Sequence, residues 1–189
     1  MKDISLQATS ISGCYVLKLP VSEDIRGSFS KLFQHSIFSA SKLETRFREV
    51  FFTISHAGVL RGMHVQLPPS DHAKVVYCVA GEVIDVVLDI RRDSPTFGHH
   101  ASFSIGGASG TAIYIPPGLA HGFYVNAGPA IMMYHVSSEH DPARDTGIHW
   151  DSFGMAWPAR EPIVSDRDSA LPGLREFITS FDFPGALGI

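Results

Sequence analysis

Short apolar runs recur along most of the chain, and glycine, proline, serine and aspartate separate them. Runs that are rich in β-branched and aromatic residues, or that alternate with polar positions, cover residues 13–20, 28–34, 50–55, 83–90, 100–105, 111–115, 123–126 and 131–137. Strands this short and this regularly spaced favour antiparallel sheets over alternating strands and helices. The pattern therefore predicts an all-β sandwich or barrel.

The stretch 58–81 contains two further apolar runs, and Pro68–Pro69 marks the turn between them. Strict alternation along the first strand would place Arg61 on one face and His64 on the other. On the second strand, Lys74 shares a face with apolar residues. Because these strands are too apolar to lie on the surface, we expect the histidine and the lysine to point into an internal pocket.

Helical segments are few. Residues 36–46 are compatible with a short helix, and Leu171–Phe181 with one helix that ends before Pro184. Residues 141–150 are predicted to form an ordered loop. Because the chain has no internal repeat and no low-complexity linker, we expect residues 1–189 to form one domain, with a short helical C-terminal tail packed on the barrel.

Composition excludes several classes of function. The chain has 189 residues, of which 44% are hydrophobic, so it can bury a substantial core. Its net charge of -4, with basic residues scattered along the chain, argues against nucleic acid as a partner. Cys14 and Cys78 are too few and too far apart for a disulfide framework. No apolar run has the length of a signal peptide or membrane span, so we expect a cytoplasmic protein without membrane contact.

Two segments resemble the paired half-motifs of cupins. The first runs from Gly58 to His64, and the second runs from Gly110 through a proline and a glycine to His121. In metal-binding cupins the first half supplies two histidines two positions apart, whereas this chain has Gln66 at the second position. Glutamine is a poor ligand for zinc or iron. The resemblance implies a jelly-roll β-barrel, and the substitution predicts that it holds no metal.

A larger set of motifs resembles one family over nearly the whole chain and in the same order. The matching pieces are D-I-R-G-S-F at 24–29, G-V-L-R-G-M-H-V-Q-L-P-P at 58–69, Lys74, D-I-R-R-D-S-P-T-F-G at 89–98, I-P-P-G-L-A-H-G-F at 115–123, Tyr134 and S-D-R-D at 165–168. Together they resemble the dTDP-4-dehydrorhamnose 3,5-epimerases. The resemblance implies a cofactor-free epimerase acting on a nucleotide-diphosphate 4-keto sugar.

The chemistry of a 4-keto sugar suits the catalytic residues that this resemblance implies. The C–H bonds beside the carbonyl are acidic, and His64 can act as the base because imidazole titrates near neutral pH. By resemblance, Asp168 holds that imidazole in its productive tautomer. Lys74 would stabilise the enolate oxygen, and Tyr134 would return the proton from the opposite face.

The resemblance also implies substrate-binding residues. Arg61 and His121 would meet the diphosphate and the sugar, since a guanidinium gives bidentate and permanently charged recognition. Gln66 is placed in the same group. Arg26 and Phe29 correspond to the family's nucleotide-binding segment, which reaches into a neighbouring subunit's site, so a homodimer is implied.

Two positions depart from the family pattern near the nucleotide base. Lys31 stands where the family carries a glutamate that can accept the N3–H of thymine, and Glu49 and Phe51 stand in place of a Q-x-N motif. A lysine donates where the glutamate accepted, and a carboxylate can accept from an amino group. These changes predict a base other than thymine, with CDP as the first candidate and GDP or UDP left open.

Three further alternatives stay open from the sequence. The motifs do not distinguish a 3,5-epimerase from a 3-epimerase. A related cupin keto-sugar isomerase would use the same enolate but move the carbonyl. A non-catalytic sugar-nucleotide-binding cupin would keep the pocket and leave the C–H bonds intact.

Overall fold

The computed structural model describes residues 3–107 and 109–183, and its class is all-β, as predicted. Within these residues the elements are β1 Ser5–Ala8, β2 Tyr15–Lys18, β3 Val21–Asp24, β4 Gly27–Ser30, α1 His35–Ala40, β5 Glu49–Ser55, β6 Leu60–Gln66, β7 Lys74–Asp89, β8 His100–Gly106, β9 Thr111–Ile115, β10 Leu119–Val136, β11 Asp145–Gly147 and α2 Asp166–Ser169. In this part of the chain no helix is both long and apolar enough to cross a membrane.

The strands form one large sheet and one separate hairpin. The main sheet follows the order β1-β2-β9-β7-β10-β6-β11, with β5 added on β10 and β8 on β7. β3 and β4 make up the hairpin. β7 and β10 are long enough to pass from one layer of the sheet into a second. Among the described strands the path does not close into a ring, so the molecule is a two-layer jelly roll.

The first layer contains β1, β2, β9, β5 and the halves of β7 and β10 that pair with them. The second layer contains β8, β6, β11 and the other halves of the two long strands. Aliphatic and aromatic side chains fill the space between the layers, including Val76, Val83, Val87, Ile105, Ile113, Phe123, Val125 and Met132. Residues 32–47, with α1, cover the outside of the first layer, and residues 148–181 cover the second.

β7 and β10 differ from the prediction, in which each of them is two separate strands. β7 continues through Gly81, whose φ is +80°. A Cβ atom there would lie 2.7 Å from the carbonyl oxygen of Ala127 and from the Cα of Ala130. Glycine therefore lets β7 bend closely past β10 without ending. In β10, irregular pairing joins the segments 123–126 and 131–137 into one strand.

The helices only partly match their predictions. α1 confirms a short helix in the region 36–46, although it begins one residue earlier, at His35, but the helix predicted over Leu171–Phe181 is wrong. That segment instead contacts a loop through its backbone, since Arg92 N–H donates to the carbonyl of Phe181 at 2.8 Å. The tail's helix is α2, which lies upstream of the predicted one. Pro184, the predicted end, lies outside the described residues.

The loop predicted over residues 141–150 contains a short strand. β11 pairs with the edge of β6, and Gly147 lies opposite His64. Close approach explains the glycine, because a Cβ atom at Gly147 would lie 2.1 Å from the carbonyl oxygen of Met63. β11 therefore packs directly against the strand that carries the predicted base.

Candidate active site

A cavity of about 320 Å³ opens between the two layers at one end of the core. This volume lies within the range of small-molecule sites. Seven of the predicted site residues line it, which are Glu49, Arg61, His64, Gln66, Lys74, His121 and Tyr134. They come from β5, β6, β7 and β10, so the cavity depends on both layers.

Arg61 and His64 line the same cavity, although strict alternation placed them on opposite faces. The pairing of β6 with β10 explains why strict alternation fails here. His64 lies opposite His121 and Arg61 opposite Phe123, so three steps along β6 match two along β10. The extra residue forms a β-bulge, which returns the arginine to the histidine's side. Gly62 permits it, since a Cβ atom there would lie 2.6 Å from the Cα of Gly122.

His64 is held by a carboxylate from the tail. Its Nε2 lies 2.7 Å from Asp168 Oδ1, and Gly62 N–H donates to Oδ2 at 3.0 Å. The backbone N–H of Asp168 donates to Ser165 Oγ at the start of α2. Burial alone would raise the pKa of Asp168, but the hydrogen bonds from His64 and Gly62 outweigh it and leave that pKa below its usual value. An ionised Asp168 fixes the proton on Nε2 and leaves the lone pair on Nδ1.

Lys74 is buried at the start of β7, where its ammonium donates to the carbonyl of His64 at 3.3 Å. Burial lowers the pKa of Lys74 to about 8, although the carboxylates of Asp145 and Asp85 favour the charged form. The group is therefore charged at neutral pH in a poorly solvated place. Such a charge stabilises a developing oxyanion more strongly than it would in water.

Tyr134 enters the cavity from the first layer, whereas His64 enters from the second. Its ring stacks on Phe51, with centroids 4.7 Å apart and planes at 11°. The edge of the His121 ring lies on another side, at 6.0 Å. Burial raises the pKa of the Tyr134 phenol above its usual range, so the hydroxyl stays protonated at neutral pH.

A second histidine–carboxylate pair was not predicted. His121 Nε2 lies 2.7 Å from Asp85 Oδ2, and both side chains are buried. The signal in the sequence was a carboxylate within the apolar run 83–90, because a buried charge requires a partner. The pair fixes the orientation of the His121 ring beside Tyr134.

The other predicted binding residues of the cavity have defined partners. Arg61 Nε donates to Ser55 Oγ at 2.9 Å, and Glu49 Oε2 accepts the backbone N–H of His140 at 2.8 Å. The Gln66 amide contacts the neighbouring loops: its nitrogen lies within hydrogen-bond distance of oxygens of Ser70, Ser138 and Glu139, and its oxygen accepts from Asp141 N–H. Gln66 thus ties the loop after β6 to the loop after β10.

Arg26, Phe29 and Lys31 do not lie among the residues that line the cavity of this one chain. Arg26 occupies the turn of the β3–β4 hairpin and pairs with Asp24. Every residue from Val21 to Ser30 is exposed. The structure therefore separates these three predicted residues from the other eight.

Several residues that line the cavity were not predicted. Arg167, next to Asp168, pairs with Asp145 at 2.8 Å. His72 and His140 also line the cavity, although the sequence indicated no role for them. Burial lowers the pKa of His72 to about 3, so it is neutral at physiological pH. Among residues 3–107 and 109–183, no group of three or more histidine, cysteine or carboxylate residues is arranged to hold a metal ion.

The arrangement is suited to proton transfer at carbon. An imidazole oriented by a carboxylate, a buried ammonium and a protonated phenol line one cavity from two facing layers. Inversion beside a carbonyl requires a base, an oxyanion stabiliser and an acid, and groups of these three kinds are present in the cavity.

Comparison with known proteins points to the same chemistry. A family model described as dTDP-4-dehydrorhamnose 3,5-epimerase matches residues 8–176. The enzyme of that name from Shigella flexneri is 36% identical over 163 residues, which cover 85% of this chain and 90% of the relative.

Two solved structures extend the comparison. The 3,5-epimerase of Legionella pneumophila, in complex with dTDP-4-keto-L-rhamnose, has a TM-score of 0.88 and 31% identity, covering 93% of this chain and 95% of that one. A 3′-monoepimerase from Streptomyces bikiniensis, in complex with dTDP-quinovose, has a TM-score of 0.83 and 34% identity, covering 88% and 86%.

Proposed function

The chain belongs to the dTDP-4-dehydrorhamnose 3,5-epimerase family of nucleotide-sugar isomerases, and we propose that it inverts C3, C5 or both carbons of a nucleotide-linked 4-keto-6-deoxy sugar. The observation that carries the proposal is the placement of His64 and Tyr134 in one cavity on facing layers. A base and an acid on opposite sides of a planar enolate are what inversion requires.

The proton steps balance with these residues and solvent water. His64 Nδ1 takes the proton from the carbon, the C–H bond breaks, and the electron pair moves to the carbonyl oxygen as an enolate. Lys74 stabilises that oxygen through its positive charge. Tyr134 then donates its proton to the opposite face of the carbon, which restores the ketone. Solvent reprotonates the phenolate and removes the proton from the imidazolium, so no net charge accumulates.

We propose that this chemistry needs no metal or cofactor. The support comes from Gln66, which stands where the cupin pattern has a metal-binding histidine. Its oxygen already accepts a backbone N–H, and its nitrogen donates to the loops beside it. An amide engaged in this way on both its atoms is a poor ligand for zinc or iron. Activity should therefore survive exhaustive treatment with a chelator.

The simplest test of function is isotope exchange into the substrate. Incubation with a nucleotide-linked 4-keto-6-deoxyglucose in deuterated water should place deuterium at C3, C5 or both, with inversion visible by NMR. Exchange at C3 alone would define a 3-epimerase. Movement of the carbonyl would establish a keto-sugar isomerase instead, and retention of all ring protons would establish a binding protein.

For the nucleotide, we propose a base other than thymine, with CDP as the first candidate. Glu49 lines the cavity, and its Oε2 is fixed by the His140 backbone. Its second oxygen can accept from an amino group such as that of cytosine. Lys31 would donate to the unprotonated N3 and O2 of the same base.

Calorimetric titration with CDP, dTDP, GDP and UDP tests this assignment. CDP should bind most tightly, and Lys31→Glu should shift the preference toward dTDP, with Lys18→Glu as the control. Tightest binding of dTDP by the wild type would refute the proposal, whereas tightest binding of GDP or UDP would keep the non-thymine base and reject cytosine.

We further propose a homodimer in which the β3–β4 hairpin completes the partner's site. Apolar side chains on the hairpin and on the outer face of β5 are exposed, at 54% for Phe29, 59% for Phe52 and 57% for Ile54. Large exposed apolar side chains on one face of a strand, such as Phe52 and Ile54, are typical of interaction surfaces. The hairpin also carries Arg26, which fits an anionic diphosphate.

Mixed dimers test this arrangement. Arg26→Ala and His64→Ala should each be inactive as pure proteins. After the two are unfolded and refolded together, half of the dimers would contain one wild-type site out of two. About a quarter of wild-type activity should return if the hairpin acts in the partner. No recovery would show that Arg26 acts within its own chain.

A further inference from the structure

The stack of Phe51 on Tyr134 has no role in the proton steps described above. The two residues lie directly opposite each other in the β5–β10 ladder. Their rings are nearly parallel, at 11°, with centroids 4.7 Å apart. We infer that Phe51 is a positioning residue for Tyr134 and fixes where its hydroxyl delivers the proton. This inference rests on the proposed function.

The geometry limits the phenol from two sides. The flat face of Phe51 blocks the Tyr134 ring from swinging toward it about the Cα–Cβ bond, which is the rotation that would move the hydroxyl, and the His121 ring lies against another side at 71°. His121 is itself held by Asp85 at 2.7 Å. These two contacts therefore restrict displacement of the tyrosine hydroxyl on two sides. Antiparallel cross-strand aromatic pairs of this kind are stabilising as well as directional.

Phe51 is more than a filler of the core. Its side chain is 40% exposed and lies on β5, which pairs with β10 on one side. A residue needed only for packing would be more deeply buried. The neighbouring inward positions of β5 carry Glu49 and Thr53, which are polar and line the same cavity. The one aromatic side chain on this inward face is the one that meets the tyrosine.

Proton removal from the carbon and proton return to it can be measured separately. Removal of the carbon proton depends on His64 and Lys74, which Phe51 is not placed to hold. Delivery to the opposite face depends on the position of the Tyr134 hydroxyl. A loosened tyrosine should let the enolate return its proton on the original side more often. Deuterium exchange would then continue while inversion declines.

The experiment compares inversion per exchange event in deuterated water for four variants. Phe51→Ala and Phe51→Leu remove the flat ring, and Leu keeps most of the volume and protects folding. Phe51→Tyr keeps the ring. Phe97→Leu, on the distant 93–98 turn and 45% exposed, is the matched control. Urea unfolding of each variant reports stability independently.

We expect inversion per exchange event to fall roughly tenfold in Phe51→Ala and Phe51→Leu, near the upper limit of what an aromatic pair contributes. Phe51→Tyr and Phe97→Leu should retain the wild-type ratio. If both rates fall together at an unchanged ratio, Phe51 is only structural and the inference is wrong. If the wild type neither exchanges nor inverts, the proposed function fails, and the positioning role is overturned with it.

Discussion

Replacing Lys74 by methionine should stabilise the protein while it abolishes turnover. The lysine is buried, and burial lowers its pKa from 10.5 to about 8. Holding it charged in the folded state therefore costs about 3 kcal/mol at pH 7. Methionine has a similar length and needs no solvation, but it loses the hydrogen bond to the His64 carbonyl, worth about 1 kcal/mol. The expected net gain is about 2 kcal/mol, or about 4–8 °C in Tm.

The pH dependence makes this prediction specific. The folded state binds fewer protons at Lys74 than the unfolded state between pH 8 and pH 10.5. Wild-type stability at this site should therefore rise with pH across that window. The advantage of Lys74→Met should be full below pH 8, should shrink as pH rises, and should become a deficit of about 1 kcal/mol by pH 10.5, where only the lost hydrogen bond remains. Urea unfolding at several pH values measures it, with the exposed Lys18→Met as the control.

A variant less stable than wild type at pH 7, or an advantage that does not change with pH, would refute the reasoning about Lys74. Either result would mean that the ammonium is better solvated than its surroundings indicate. The argument for a strong charge on the enolate oxygen would then lose its physical basis, because that argument depends on the same poor solvation.

Three other predictions follow from the site. Turnover should fall as pH rises through about 8, where Lys74 loses its proton; a pH–rate profile of the wild type tests this, and a flat profile to pH 9.5 would contradict it. Asp168→Asn should lower turnover by about 10²- to 10⁴-fold and leave substrate affinity nearly unchanged, as steady-state kinetics can show; a changed affinity at unchanged turnover would count against an orienting role. Gly62→Ala should lower the free energy of unfolding in urea by about 3 kcal/mol, since its Cβ would meet Gly122 at 2.6 Å and its φ is +114°. Gly27→Ala, with φ +117° and open space around the Cβ, is the control for backbone strain alone. Equal losses of stability in the two variants would contradict the clash.

The sequence was sufficient for the fold class, because strand periodicity and turn residues are local signals. It was insufficient where distant partners decide the structure. The segment 171–181 could be helical by itself, but its backbone contacts Arg92 instead. The bulge that brings Arg61 beside His64 depends on the pairing of β6 with β10, which alternation along one strand does not contain.

The site, like the fold, could be predicted from the sequence only in part. Motifs along the chain indicated His64, Lys74 and Tyr134, and the structure places all three in one cavity. Asp85 was visible as a charge in an apolar strand, but its partner His121 lies on another strand and follows only from the fold. The hairpin residues stay apart from the cavity in a single chain, since their proposed place depends on a second copy.

The central claim is that His64 removes a proton beside the keto group and that Tyr134 returns one from the other side. NMR of the sugar in deuterated water, with His64→Asn and Tyr134→Phe beside the wild type, tests it most directly. Wild type should exchange and invert, Tyr134→Phe should exchange without inverting, and His64→Asn should do neither. Undiminished exchange by His64→Asn, or normal inversion by Tyr134→Phe, would contradict the account.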